Sequence, residues 1–236
     1  VSSPIDAAQR QPVSPQRAIE VAPNAVAAVA HPRHDDDGRT LVFVGSLAFE
    51  PNEDAVLWFA EEILPLVRRP GLRFIIAGTN PSERIQQLTA IPGVEVTGWV
   101  PDLTPIYQSA TLSVTPLRSG GGTRIKILES AANDVPVVST AFGAAGLGLI
   151  DGRDLWLADT PAAFADAITG ALDRPHERRS RAEAARRWVA DRHDRSRVIG
   201  QPGPALRTGM GRRFLGRSEL CAGSRHGRLD SVHRCR

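Results

Sequence analysis

The segment richest in usable chemistry is Ser119-Gly120-Gly121-Gly122-Thr123, which runs into a helical stretch carrying Arg124, Lys126 and Glu129. Three consecutive glycines let a backbone approach a ligand closely and adopt positive φ. A helix behind such a loop offers free N–H groups and the positive end of its dipole to an anion. Arg118, Arg124 and Lys126 add positive charge around the same point, a combination that suits a diphosphate. Glu129 lies six residues past Thr123, roughly 9 Å along a helix that rises about 1.5 Å per residue. Helical side chains lean back toward the N-terminus, so its carboxylate is expected to reach hydroxyls beside the diphosphate, where a nucleotide has its ribose. The plainer reading is a flexible loop followed by a solvated i, i+3 pair of Lys126 and Glu129.

Other candidates carry less. Gly45-Ser46 and Gly78-Thr79 are two further glycine turns after apolar runs. No Gly-Lys-Ser/Thr follows the glycine triplet, so it is not a P-loop, and the Gly45 turn lacks the dinucleotide fingerprint. His31, His34 and Asp35-Asp36-Asp37 could ligate a metal, but their proline-rich setting favours a hydrated linker. Ser46, Ser119 and Ser139 show no G-x-S-x-G elbow, which argues against a serine hydrolase. Trp58, Trp156 and Trp188 fall in helix or strand patterns and are expected to pack. Trp99 follows a strand-ending glycine, where a base could stack, though packing is favoured there too.

The elements that must hold these residues alternate regularly. Apolar runs at Leu41–Val44, Leu72–Ala77, Val94–Val96, Leu112–Val114, Pro136–Ser139 and Leu155–Leu157 read as strands. Helices are expected from an Asn52 cap through Leu66, from Asn80-Pro81 to about Leu88, over 103–109, and from about Gly122 to Asn133. Two more are expected from Thr160 to Leu172 and over 175–191. This alternation predicts an α/β fold, a doubly wound, Rossmann-like parallel sheet covered on both faces. One domain is expected over residues 40–195, with a linker at 1–39 and a disordered, irregular basic tail at 196–236.

Composition bounds the function. The 236 residues hold 29 basic and 26 acidic side chains, a formal charge of +3, with a pI near 9.5. Residues 201–236 alone carry +6, which leaves residues 1–200 at −3, so no specific nucleic-acid partner is expected of the folded part. Lys126 is the sole lysine beside 28 arginines, and the two cysteines, Cys221 and Cys235, both lie in the tail. With no apolar run of eighteen residues and no signal-peptide pattern, a cytoplasmic location is expected. Association with a membrane would be at most peripheral, at its inner face.

The motifs in order resemble one family. Phe43-Val44-Gly45-Ser46, Pro51-Asn52 and Asp54–Phe59 look like the opening of the carboxy-terminal domain of family-4 glycosyltransferases of GT-B fold. Val94–Val100 with Pro101-Asp102, Gly120–Glu129, Val135–Thr140 and Gly143 continue the match, and Pro23-Asn24 is similar to the family's interdomain hinge. The resemblance covers about residues 20–195. It implies one half of a GT-B fold that binds a nucleotide-sugar donor, UDP- or GDP-linked, for retaining transfer to a glycan or lipid acceptor. Gly45 and Ser46 would then belong to the donor site, Gly120, Gly121, Gly122 and Thr123 with Arg124 and Lys126 at the helix N-terminus would hold the diphosphate, and Glu129 the ribose. The base would lie near Trp99 and Val100, and no metal would be obligatory, since helix dipole and cations take the leaving group's charge.

Three departures from the family pattern involve four positions. An earlier glutamate falls at Gly121, the first loop's basic residues fall at Ser46 and Asn52, and a usual glycine is Asp134, which tolerates the left-handed region. The family's amino-terminal acceptor domain does not fit in forty residues. A gene fragment, inactive alone, with a tail translated out of frame, is therefore expected. The alternatives are a non-catalytic nucleotide- or partner-binding module, and a nucleic-acid binder driven by the tail.

Overall fold

The structure is a computed structural model that describes Val26 and residues 36–67 and 69–199, with side chains through Asp191. Most of the predicted linker, with Pro23-Asn24, His31 and His34, lies outside the described residues, as does the tail from residue 200 with Cys221 and Cys235.

Six strands form one parallel sheet. They are β1 (Thr40–Val44), β2 (Arg73–Ala77), β3 (Val94–Gly98), β4 (Leu112–Thr115), β5 (Val137–Ser139) and β6 (Trp156–Leu157), in the spatial order β3-β2-β1-β4-β5-β6. Leu41 pairs with Phe74 on one side and Leu112 on the other. β1 is therefore central, and all five of its residues are buried. Parallel strands covered on both faces read as continuous apolar runs, which is why β1 was predictable, whereas the edge strands β3 and β6 are mostly half-buried.

Successive β1 residues serve opposite faces, as the period of two requires. Leu41 and Phe43 join Phe59, Phe74 and Phe164 in the core beneath α1 (Glu50–Trp58) and α6 (Pro161–Asp173). There Phe59 sits 4.6 Å from Phe74, centroid to centroid. Val42 and Val44 join Ile75, Tyr107 and Val135 beneath α3 (Thr104–Ser109). A third cluster links α4 (Ile125–Ala132), β5 and α7 (Pro175–Ile199) through Ile127, Leu128, Val137, Ala185 and Val189. Trp58 is buried and Trp156 and Trp188 pack against these cores, as expected.

Several helix ends differ from expectation for local reasons. α1 begins at Glu50, behind Phe49, with no side-chain cap. Pro51 suits the first turn because its missing N–H has no intrahelical partner there, and Asn52 is inside the helix, not its cap. Past Trp58 the helix widens to a π turn at Phe59–Ile63, where Leu64 N–H reaches the Phe59 carbonyl. It ends in a 3-10 turn, Leu64–Leu66, around Pro65, which has no N–H to give. α2 (Glu83–Gln87) is capped by Ser82, whose hydroxyl accepts from Ile85 N–H at 3.3 Å, while Asn80 takes φ +52.

α4 starts at Ile125, three residues later than predicted, because Gly120 and Gly122 adopt φ +103 and +82. A short α5 (Ala141–Ala144), capped by Thr140, was not expected. α6 has its predicted Thr160 cap. α7 continues to Ile199, beyond both its predicted end at 191 and the predicted domain limit at 195. Asp134 holds φ +60, the left-handed conformation its type allows.

Two aspartates assigned to the linker are anchored in the domain. Asp37 accepts from the backbone N–H groups of Arg39 and Thr40 and from the Thr111 hydroxyl. Asp36 pairs with the buried Arg178 at 2.9 Å. Among the described residues no helix is long and apolar enough to cross a membrane.

Candidate functional site

The strand order reverses between β1 and β4, and an open α/β sheet has its ligand crevice beyond the carboxyl ends of such a pair. A cleft of about 230 Å³ lies there, walled by the loop after β1, the first turn of α1, the glycine loop after β4 and the start of α4. Its lining includes Gly45, Phe49, Pro51, Asn52, Ser119, Gly120, Gly121, Thr123, Arg124, Ile125, Lys126 and Glu129. Seven of the predicted site residues thus share one cleft.

The two loops meet closely. A Cβ on Gly45 would lie 3.0 Å from Asn52 Nδ2, and one on Gly120 would lie 2.9 Å from the Pro51 side chain. Gly121, by contrast, faces open space. Arg124 is buried and braces the glycine loop. Its Nη1 donates to the carbonyls of Gly121 and Gly122 at 3.1 and 3.2 Å, its Nη2 to that of Gly120 at 3.5 Å, and its guanidinium stacks 4.8 Å over Phe142. The Thr123 hydroxyl oxygen is shielded from solvent and has no hydrogen-bond partner among the described residues. A buried hydroxyl left so costs about 1–3 kcal/mol, and a ligand oxygen in the cleft would satisfy it.

Lys126 and Glu129 are not a solvated pair. Lys126 Nζ donates to Asn52 Oδ1 at 2.5 Å and lies 4.8 Å over the Phe43 ring. Asn52 Nδ2 in turn donates to the Ser46 carbonyl at 2.8 Å. Burial, with the nearby Arg124 charge, lowers the Lys126 ammonium to about 8. Glu129 accepts from the Tyr107 hydroxyl at 3.2 Å, and burial raises its carboxyl above the usual range. A cation and a carboxylate on one helix are therefore held by different partners.

Other predicted residues sit elsewhere. Ser46 is exposed beside the cleft and contributes its carbonyl, and Gly122 is exposed in the loop. Trp99 and Val100 follow β3, two strands from β1, and do not line the cleft. Trp99 is 69% exposed, so the expectation that it packs is corrected. Arg118, expected near the glycines, instead pairs with both oxygens of Asp54 and stacks 4.9 Å over Trp58. Sequence reasoning missed the roles of Asn52 and Tyr107. The only signal for Tyr107 was that it is the chain's sole tyrosine.

An open parallel sheet in this order is Rossmann-like, and here it matches the fold of GT-B glycosyltransferases. The chain belongs to the family described as glycosyl transferases group 1, whose sequence profile matches residues 38–174. It is 27% identical over 154 residues to an uncharacterized 44.6 kDa protein in the cps region of Klebsiella pneumoniae, a match covering 59% of this chain and 40% of that protein. The chain thus spans less than half the length of that relative. Its fold is similar to that of sucrose-phosphate synthase from Thermosynechococcus elongatus (TM-score 0.68, 18% identity, 85% of this chain and 56% of that one). It is also similar to S. aureus TarM, in a crystal structure with Fondaparinux, alpha-GlcNAc-glycerol and UDP (TM-score 0.65, 17% identity, 81% and 41%).

Proposed function

We propose that the cleft binds the nucleoside diphosphate of a sugar donor, UDP- or GDP-linked, for retaining transfer to a glycan or lipid acceptor. The observation that carries the reading is the ammonium of Lys126, held beside the glycine loop at the point where the strand order reverses. Lys126, the orphaned Thr123 hydroxyl and the N-terminal end of α4 suit a diphosphate. They would stabilise the charge that develops there as the sugar leaves, so no metal is obligatory. Glu129 would hold the ribose hydroxyls, and Trp99 and Val100 would lie toward the base. The UDP in the TarM structure is consistent with such a donor.

Catalysis would need an acceptor held on the other side of the cleft, supplied by a separate acceptor-binding domain. The site of action would be cytoplasmic, at most peripheral to the membrane's inner face. A second reading, a nucleotide-binding module without catalysis, is favoured by Gly121, which faces open space where the resemblance places a glutamate. Titration calorimetry with UDP and GDP tests nucleotide binding, which both readings require. Product formed when an acceptor domain is added separates enzyme from module. Binding of neither nucleotide contradicts both.

A further inference from the structure

We infer that Tyr107 is a positioning residue: its hydroxyl fixes the Glu129 carboxylate so that the cleft discriminates nucleotides by their ribose hydroxyls. The inference rests on the donor-binding reading and adds to it a residue from a different helix, outside the cleft lining. Tyr107 is 2% exposed, and its ring packs among Val42, Val44, Ile75 and Val135. A ring held by a close-packed core has little freedom. Its hydroxyl therefore arrives at one place, 3.2 Å from Glu129 Oε2.

The surroundings give that contact its consequence. Lys126, one turn away on the same helix, donates to Asn52 and forms no ion pair with Glu129 within 4 Å among the described residues. The carboxylate is thus steered by the neutral phenol, which leaves its charge available. An ionised carboxylate has about four acceptor sites; Tyr107 takes one on Oε2, so Oε1 and the rest of Oε2 remain for a vicinal diol. A glutamate anchored before the ligand arrives loses less rotamer freedom on binding. Lys126 and Glu129 then divide the ligand between them, the cation taking the phosphate end and the carboxylate the sugar.

The plainer possibility is that a buried phenol simply needs an acceptor. The two separate by selectivity. Titration calorimetry on the full chain would compare UDP with 2′,3′-dideoxy-UDP, and GDP with its dideoxy counterpart, for the native chain, Tyr107→Phe, Glu129→Gln and the double variant. Tyr107→Phe keeps the ring, and so the core. It should weaken binding of the ribonucleotide about tenfold and leave the dideoxynucleotide within about twofold. Glu129→Gln, which retains an acceptor for Tyr107, should abolish the same preference, and the double variant should lose no more than Glu129→Gln alone. Equal weakening of both nucleotides by Tyr107→Phe, or an undiminished ribose preference, would overturn the inference while leaving the donor reading standing. A native chain that bound no nucleotide would overturn both.

Discussion

Lys126 Nζ and Asn52 Oδ1 lie 2.5 Å apart across 74 residues of sequence, joining the helix behind the glycine loop to the first turn of α1. Asn52 carries the link on to the Ser46 carbonyl, so one amide spans both walls of the cleft. The wall after β1 lacks its own cation at Ser46 and Asn52, and the lysine of the opposite wall leans across instead.

Replacing Asn52 should therefore harm binding and folding together. Asn52→Ala removes both hydrogen bonds and leaves Lys126 without this anchor. The expected loss of stability is about 1–3 kcal/mol, read by urea denaturation, with UDP or GDP affinity falling about tenfold in calorimetry. Unchanged affinity would show that Lys126 needs no such support.

The lowered ammonium of Lys126 gives binding and stability opposite pH dependences. Above about 8 the free protein loses this charge, so diphosphate affinity should fall as pH rises from 7 to 9. In the unfolded chain a lysine keeps its proton to about 10.4. Between these values the unfolded state binds more protons, so this group's contribution to stability rises with pH. Calorimetry and denaturant melts of the native chain and Lys126→Met should show both trends only in the native chain.

Adjacent glycines should respond differently to a methyl group. Gly120 has φ +103, and its Cβ would meet Pro51 at 2.9 Å. Gly120→Ala should cost about 1–3 kcal/mol. Gly121 meets nothing within 4 Å, so Gly121→Ala should stay within about 0.5 kcal/mol. Thermal melts of the two variants decide this, and equal effects would contradict the loop geometry.

The central strands were legible because each is a buried run that stops at or near a polar or glycine turn, whereas β3 and β6, at the two edges of the sheet, are mostly half-buried. Leu41–Val44 and Leu112–Val114 needed no tertiary knowledge. The helix after the glycines was legible in kind but not in start, because Gly122 takes positive φ and delays it to Ile125. Asn52 and Asn80 looked like caps by type. Pro51 had already set the first turn of one helix, and the Ser82 hydroxyl capped the other. Local pattern marked Lys126 and Glu129 as site residues. Their partners, Asn52 and Tyr107, come from elements 74 and 22 residues away, a distance over which periodicity carries no signal.

The most direct test is titration of the purified chain with UDP and with GDP, alongside Lys126→Ala. Saturable binding of at least one nucleotide is expected, weakened about 30-fold or more in the variant. Absence of binding to both nucleotides, or binding that Lys126→Ala leaves unchanged, would contradict a diphosphate site at this cleft.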